Sequence, residues 1–327
     1  MQVLPMMPAA AKPLISRYRL QAHRRLNSIS NRREFDGVLI QIDGGFGCIH
    51  PWPELGDPPL AKCLLDLAGA RRWPIVRRAI RCAEYDREAR RFDHSLFEEM
   101  EVPESHATLG PANRAEVTSA VAAGFTTVKL KTGRDWAATA KALAELTAEF
   151  PAVRWRLDFN ESLTAEAAAR FLLELSPTTR SAIDFVEDPC PYAEPAWHDL
   201  HRQSKVPLAV DREATPGSAA AQVLVIKPAI DEPFLLAEAA IRNRQQVVLT
   251  SYMDHPLGQA FAAWEAARLG LQFPGLVGCC GLQTHHLFEP DEFTAMLGPW
   301  SPVFQAPAGN GLGFDELLDN LPWTRLY

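Results

Sequence analysis

The sequence predicts a closed β/α barrel joined to a smaller domain of mixed helices and strands. Three observations carry this. From about residue 104, short apolar runs alternate with amphipathic helices, and eight such runs fit in under 200 residues. Charged residues stand at the C-terminal ends of successive runs. The first hundred residues lack this rhythm and are Arg-rich and irregular. Alternation of strand and helix makes a parallel sheet whose strands are buried on both faces. So many units in so short a stretch favour a closed barrel, with an open doubly wound sheet as the alternative. A chain of 327 residues, 47% apolar, can bury one large core and one small one.

In the smaller domain, GVLIQIDGGFGCIHP reads as a hairpin, alternating apolar residues about a glycine turn. PPLAKCLLDLAGA and VRRAIRCAEYDREARR carry apolar residues at steps of three and four and read as helices. Six arginines fall between residues 17 and 33: Arg17, Arg19, Arg24, Arg25, Arg32 and Arg33. Such a run ordinarily forms a solvated basic face; the functional alternative is a loop closing over an anionic ligand.

The barrel strands are expected at SHATLG (105–110), TTVKLK (126–131), VRWRLD (153–158), IDFVED (183–188), PLAVD (207–211), VLVIK (223–227), VVLTS (247–251) and FPGLVG (273–278). Among the helices between them, one starts at Asn113 as cap, with Glu116 completing a capping box and Gly124 as its stop. Another starts at Thr164.

Composition excludes several functions. With 33 Lys+Arg against 40 Asp+Glu, the net charge is -7, the wrong sign for a nucleic-acid partner. No apolar run approaches the roughly 20 residues of a membrane span. MQVLPMMPAAAKPLISRYRL has no continuous apolar core, so no secretory leader is expected and the cytoplasm is the expected location. The six cysteines, at 48, 63, 82, 190, 279 and 280, form no CxxC and read as reduced thiols. Cys279 and Cys280 with His285 and His286 fit no common zinc spacing. The glycines at 44–45 and at 309, 311 and 313 are followed by neither GK[ST] nor GxGxxG and read as turn residues. Oligomeric state is open; a homo-oligomer is compatible with the sequence.

The chemistry lies at the strand ends. Lys129 and Lys131 end the second run, Asp158 the third, Glu187 and Asp188 the fourth, Asp211 the fifth, Lys227 the sixth and Ser251 the seventh. The steps from Lys131 to Asp158, then Glu187, then Asp211 are 27, 29 and 24 residues, each suited to one strand–helix unit. The 16 residues from Asp211 to Lys227 imply a short crossover. Singly, each has an ordinary reading: an Asp at a strand end caps a helix, Asp188-Pro189 makes a turn, and a Lys beside an acid makes an ion pair. Jointly they do more. Catalytic groups of β/α barrels gather at the C-terminal strand ends. Residues two apart on a strand share a face, so Lys129 and Lys131 point together, as do Asp158 and Asn160. Carboxylates from three adjacent strands can converge on one hard cation, and an all-oxygen set suits Mg²⁺ better than Zn²⁺. Such a site lowers the barrier to removing a proton next to a carboxylate, with a lysine of depressed pKa as base.

K-x-K at 129–131, RLDFN at 156–160, FVEDP at 185–189, LAVDRE at 208–213 and VIKP at 225–228, in that order, resemble the enolase superfamily, in its muconate-lactonizing branch. GFGCIHPWPELG (45–56) and GNGLGFDELL (309–318) are similar to capping-domain segments of that family. Within the branch the pattern is most similar to the o-succinylbenzoate synthases of menaquinone biosynthesis. The resemblance implies a modified (β/α)7β TIM-type barrel over 104–290, and an α+β capping domain over 1–103 completed by 291–327. It implies a syn-dehydration of a small-molecule carboxylate with Lys131 as base, Lys227 on the opposite face, and Asp158, Glu187 and Asp211 holding Mg²⁺. Lys129 would hold the substrate carboxylate, Asn160 would sit behind the metal ligands, Ser251 would meet the succinyl tail, and the 17–33 segment would belong to a mobile cap. A racemase or cycloisomerase of the same branch uses the same pair of lysines, although LVGCCGLQTHH lacks the DxD-type motif of dipeptide epimerases. Asp254 and His255 in SYMDHPLGQA have no family role and read as loop or cap residues. Two readings from other classes compete: a non-catalytic barrel that binds an acidic metabolite, opposed by the complete acid triad, and a Schiff-base aldolase using Lys227, which needs no three acids.

Overall fold

The structure, a computed structural model, describes residues 12–26, 32–212 and 214–326. Two sheets organise it. The smaller is antiparallel: β1 (Leu14–Gln21), β2 (Glu34–Ile42) and β3 (Gly45–Ile49), with a two-residue strand from the far end of the chain, β11 (Thr324–Arg325), beyond β1. The expected hairpin is β2–β3. The first five residues of the Arg-rich segment are strand: Arg17 and Arg19 lie on β1, and Arg19 pairs across the sheet with Asp36 at 2.7 Å. Residues 27–31 of that segment lie outside the described residues.

Two helices, α1 (Leu60–Ala68) and α2 (Pro74–Arg91), follow, and α2 lies directly on β3. A Cβ on Gly45 or Gly47 would come within 2.0 Å of Ala83 O or 2.2 Å of Ala79 O, so only glycine permits this approach. On α2, the fully buried Asp86 accepts from Phe46 N (2.9 Å), Leu312 N (2.7 Å) and Arg90 Nε (2.6 Å). Arg90 also donates to Asp315 and to Gly313 O. One carboxylate thereby joins the hairpin, the helix and the last segment of the chain.

The larger sheet has seven parallel strands in sequential order: β4 (Ala107–Leu109), β5 (Thr127–Lys131), β6 (Arg154–Asp158), β7 (Ile183–Glu187), β8 (Leu208–Val210), β9 (Val223–Ile226) and β10 (Gln246–Leu249). Sequential order sets aside the doubly wound alternative, whose strand order reverses. The eighth expected run, 273–278, is not a strand. Pro274 has no N–H to donate and Gly275 is left-handed (φ 81°), so no ladder forms there. Isolated bridges replace it: Val247 to Val277, Thr250 to Gly281, and Ser105 to Cys280. These join β10 to the residues just before β4 and close the ring.

The helices between are α3 (Arg114–Ala122), α4 (Trp136–Glu149), α5 (Ala165–Glu174), α6 (Pro177–Ala182), α7 (Glu194–Ser204), α8 (Pro233–Asn243) and α9 (Pro256–Gln272). As expected, Asn113 caps α3, Thr164 caps α5, and no helix spans the crossover between β8 and β9. Glu116 does not return to its cap; it pairs with Arg24 of the smaller domain. Nearly every residue of α9 is buried, because it lies between barrel and cap. There Arg78 of α2 donates to Glu265 at 2.5 Å and to Pro228 O at 2.9 Å. Among the described residues no helix is long and apolar enough to cross a membrane.

Replacing Asp86 by Ala leaves Arg90 Nε and two buried amides without their acceptor. It is expected to cost about 3–5 kcal/mol in urea unfolding, with loosening of 309–319 in hydrogen exchange.

Candidate active site

Parallel pairing places three charged residues in one row. Lys131 pairs with Asp158 and Asp158 with Glu187, each the last residue of its strand. Asp211 follows β8 and Lys227 follows β9. These ends open onto a cavity of about 300 Å³ lined by Lys129, Lys131, Asp158, Asp211, Lys227 and Ser251, with Asn160 at its rim. Glu187 is buried beneath it.

The lysines do not merely flank the acids; they engage them. Lys129 Nζ lies 2.6 and 2.7 Å from the two oxygens of Glu187 and 3.0 Å from Asp158. Lys227 Nζ lies 2.6 Å from Asp211 Oδ2. Carboxylates buried together need counter-charge, and these ammonium groups supply it. Burial alone would lower the Lys129 pKa, but Asp158, Glu187 and Asp211 outweigh it and hold it above the ordinary range. Burial likewise opposes, and Asp211 restores, the charge on Lys227. Burial lifts Glu187 to about 7 against the pull of Lys129, with Asp158 and Asp211 adding to the rise.

Lys131 is different. Its Nζ donates to the Leu26 carbonyl and lies 3.8 Å from Met253 Sδ, with no carboxylate in hydrogen-bond reach among the described residues. Burial lowers its pKa to about 8; Asp158 opposes this, while Lys129 and Lys227 reinforce it.

Among the described residues, Glu187, Asp188 and Asp211 are the three acids whose oxygens lie within 4.8 Å of one another. Asp158 is joined to Glu187 through the Lys129 ammonium instead. Asp188 holds backbone: its oxygens accept from Asp211 N and Arg212 N, each at 3.1 Å. That positions Asp211, while the oxygens of the expected set, Asp158, Glu187 and Asp211, are themselves engaged by Lys129 and Lys227. A buried, all-carboxylate donor set fits a hard divalent cation.

The loop after β10 is fixed by the cap. Trp52 Nε1 donates to Tyr252 O and the Tyr252 hydroxyl to Asp57, both at 2.9 Å. Ser251 shares a 2.6 Å hydrogen bond with Thr284. His255 caps α9 by accepting from Leu257 N at 3.2 Å. Asp254 is buried, and burial raises its pKa to about 7. Sequence reasoning missed Thr284, the Trp52–Tyr252–Asp57 tie and His106, which lines the cavity from just before β4. Only His106 carried a signal, standing two residues before Thr108 on the same strand face.

Residues 13–89 match the family model for the o-succinylbenzoate synthase N-terminal domain, and residues 112–231 match that for the enolase C-terminal domain-like family. An o-succinylbenzoate synthase of Bdellovibrio bacteriovorus is 32% identical over 323 residues, 95% of this chain and 97% of that one. Among solved structures, an N-succinyl Arg/Lys racemase from Bacillus cereus superposes with a TM-score of 0.78 at 15% identity, over 97% of this chain and all of that one. A mandelate racemase/muconate lactonizing protein from Herpetosiphon aurantiacus gives 0.77 at 18% identity, over 95% and 99%. Such distant likenesses speak for the fold.

Replacing Lys129 by Met leaves Glu187 and Asp158 buried without their shared ammonium. The variant is expected to melt well below the parent in chelator, and to regain more from millimolar Mg²⁺ than the parent does.

Proposed function

The chain belongs to the enolase superfamily, with the o-succinylbenzoate synthases as its like, and on that premise we propose that it is a Mg²⁺-dependent o-succinylbenzoate synthase of menaquinone biosynthesis. The observation that carries this reading is Lys131: a buried amine whose pKa burial lowers to about 8, with no carboxylate hydrogen-bonded to it among the described residues, in the same cavity as Asp158, Asp211 and Lys227. A base must be partly neutral at working pH, and this one is.

Asp158, Glu187 and Asp211 would hold the ion. Bound there, Mg²⁺ supplies positive charge to the carboxylate oxygens of the substrate as they become more negative. Lys131 removes the ring proton next to the carboxylate of 2-succinyl-6-hydroxy-2,4-cyclohexadiene-1-carboxylate. The electrons of that C–H bond form the new ring double bond as the C–O bond at the neighbouring carbon breaks. The departing hydroxide takes the proton back from Lys131 on the same face and leaves as water, and the ring becomes aromatic. Lys227, from β9, stays protonated against Asp211 and supports the anionic side of the substrate. Lys129 serves the same negative region, Asn160 sits behind the ligands, and Ser251 meets the tail.

A racemase is the second reading, favoured by the presence of Lys227 in the same cavity as Lys131: protonation from the other face would invert the carbon. Purified protein offered the cyclohexadiene and, separately, N-succinyl amino acids in D₂O separates the two. Dehydration without inversion supports the synthase; inversion of the amino acids alone overturns it.

Replacing Lys131 by Ala is expected to lower kcat roughly 10²–10⁴-fold with little change in melting temperature. In the parent, kcat/KM should rise about tenfold per pH unit toward pH 8 and level off above it, because only neutral Lys131 accepts the proton. Chelation should stop turnover and Mg²⁺ restore it; activity in metal-stripped protein would overturn the acid triad as a metal site.

A further inference from the structure

One group in the cavity remains unused. His106 is buried, 2% exposed, immediately before β4, and lines the floor of the cavity. Its Nδ1 lies 2.7 Å from Arg156 Nη1. A guanidinium has only donors, so Nδ1 must accept and the ring proton must sit on Nε2. Arg156 is itself fixed: Nε donates to Asp184 at 2.7 Å, Nη1 also donates to Cys279 O at 2.8 Å, and the guanidinium lies 4.4 Å from the Phe185 ring centroid. Burial, Arg156 and Lys129 all keep the imidazole neutral. Nε2–H has no hydrogen-bond partner among the described residues. Space for this edge of the ring is kept by Gly281, where a Cβ would come within 2.8 Å of His106 Cε1 and 2.9 Å of Nε2.

Position in the ring adds the second half of the argument. β4 and β10 are neighbours through the 277–281 bridges, so His106 stands near Ser251 and Thr284, with Gly281 between. The acids Asp158, Glu187 and Asp211 stand at the ends of β6 and β7 and just after β8. The Ser251–Thr284 pair shares one hydrogen, leaving a second hydroxyl hydrogen to give. Among the described residues, this end of the cavity therefore offers the neutral donors of His106, Ser251 and Thr284.

We infer that His106, held by Arg156 in its Nε2–H form, is a specificity-determining residue that donates to a hydrogen-free oxygen, the ketone or carboxylate oxygen of the substrate's acyl tail. The Asp184–Arg156 chain acts through His106 and is a positioning element. An ammonium at this end would meet N–H and O–H groups with no acceptor charge, so the subsite selects against substrates with a free amine there. This assignment rests on the dehydratase reading and deepens it.

The test uses the full chain with Mg²⁺. Imidazole ¹⁵N spectra of the parent and of His106→Phe identify the His106 ring; an Nε2–H neutral tautomer is expected, and an Nδ1–H or doubly protonated ring overturns the inference. Binding of o-succinylbenzoate, followed on that resonance and by calorimetry, should weaken about 10- to 100-fold in His106→Phe and recover to within several-fold in His106→Gln, which restores a donor. The loss should appear in KM, with kcat changed only several-fold. Equal affinity in His106→Phe, or failure of His106→Gln to recover it, overturns the proposal. Failure of the dehydratase reading shows separately: the parent would bind the dicarboxylate and shift the His106 resonance, yet leave the cyclohexadiene unchanged.

Discussion

Carboxylates cannot be buried side by side without positive charge among them, and that constraint organises the catalytic face. Asp158, Glu187 and Asp211 end neighbouring strands, and parallel register leaves them no room to spread. Lys129 and Lys227 answer that charge directly. Lys131 is excluded from the arrangement: its neighbours on both sides are already committed to acids, and burial works on it unopposed by any direct ion pair. Two lysines held charged and one whose pKa is lowered to about 8 thus follow from one electrostatic problem.

The barrel supplies the row of charges; the cap determines what surrounds them. Trp52 and Asp57 hold Tyr252, and with it the loop carrying Ser251 and Met253. Leu26 brings its carbonyl onto Lys131 itself. The cap is fastened in turn by Asp86 to the end of the chain and by Arg78 to α9. Few of these ties are local in sequence, and all of them involve polar groups that would be costly to bury unpaired.

How far the sequence could be read follows from the same physics. Strands that end in charge, caps at Asn113 and Thr164, and the short β8–β9 crossover depend on local pattern, and pattern was sufficient. The 273–278 segment was misread because an apolar run says nothing about ladder length; one proline and one left-handed glycine reduce it to isolated bridges. Arg17 and Arg19 form the outward, solvated face of β1, as the ordinary reading of an Arg-rich run has it; what the run did not show is that this face belongs to a strand. Spacing located each lysine on its strand but could not assign ammonium to acid, since long side chains choose partners in three dimensions. His106 was hidden for a further reason: its meaning depends on Arg156, fifty residues away, which decides the nitrogen that keeps the proton.

Arg78 bears on how such proteins diversify. A guanidinium rooted in the cap reaches through to the carbonyl of Pro228, the residue after Lys227, and to a buried glutamate on the last long helix. The two halves are therefore not interchangeable modules. A cap transplanted from a relative would have to bring its own donor to that carbonyl, or the strand end beneath it would lose its anchor; recombination between lineages is constrained at a seam far from the substrate.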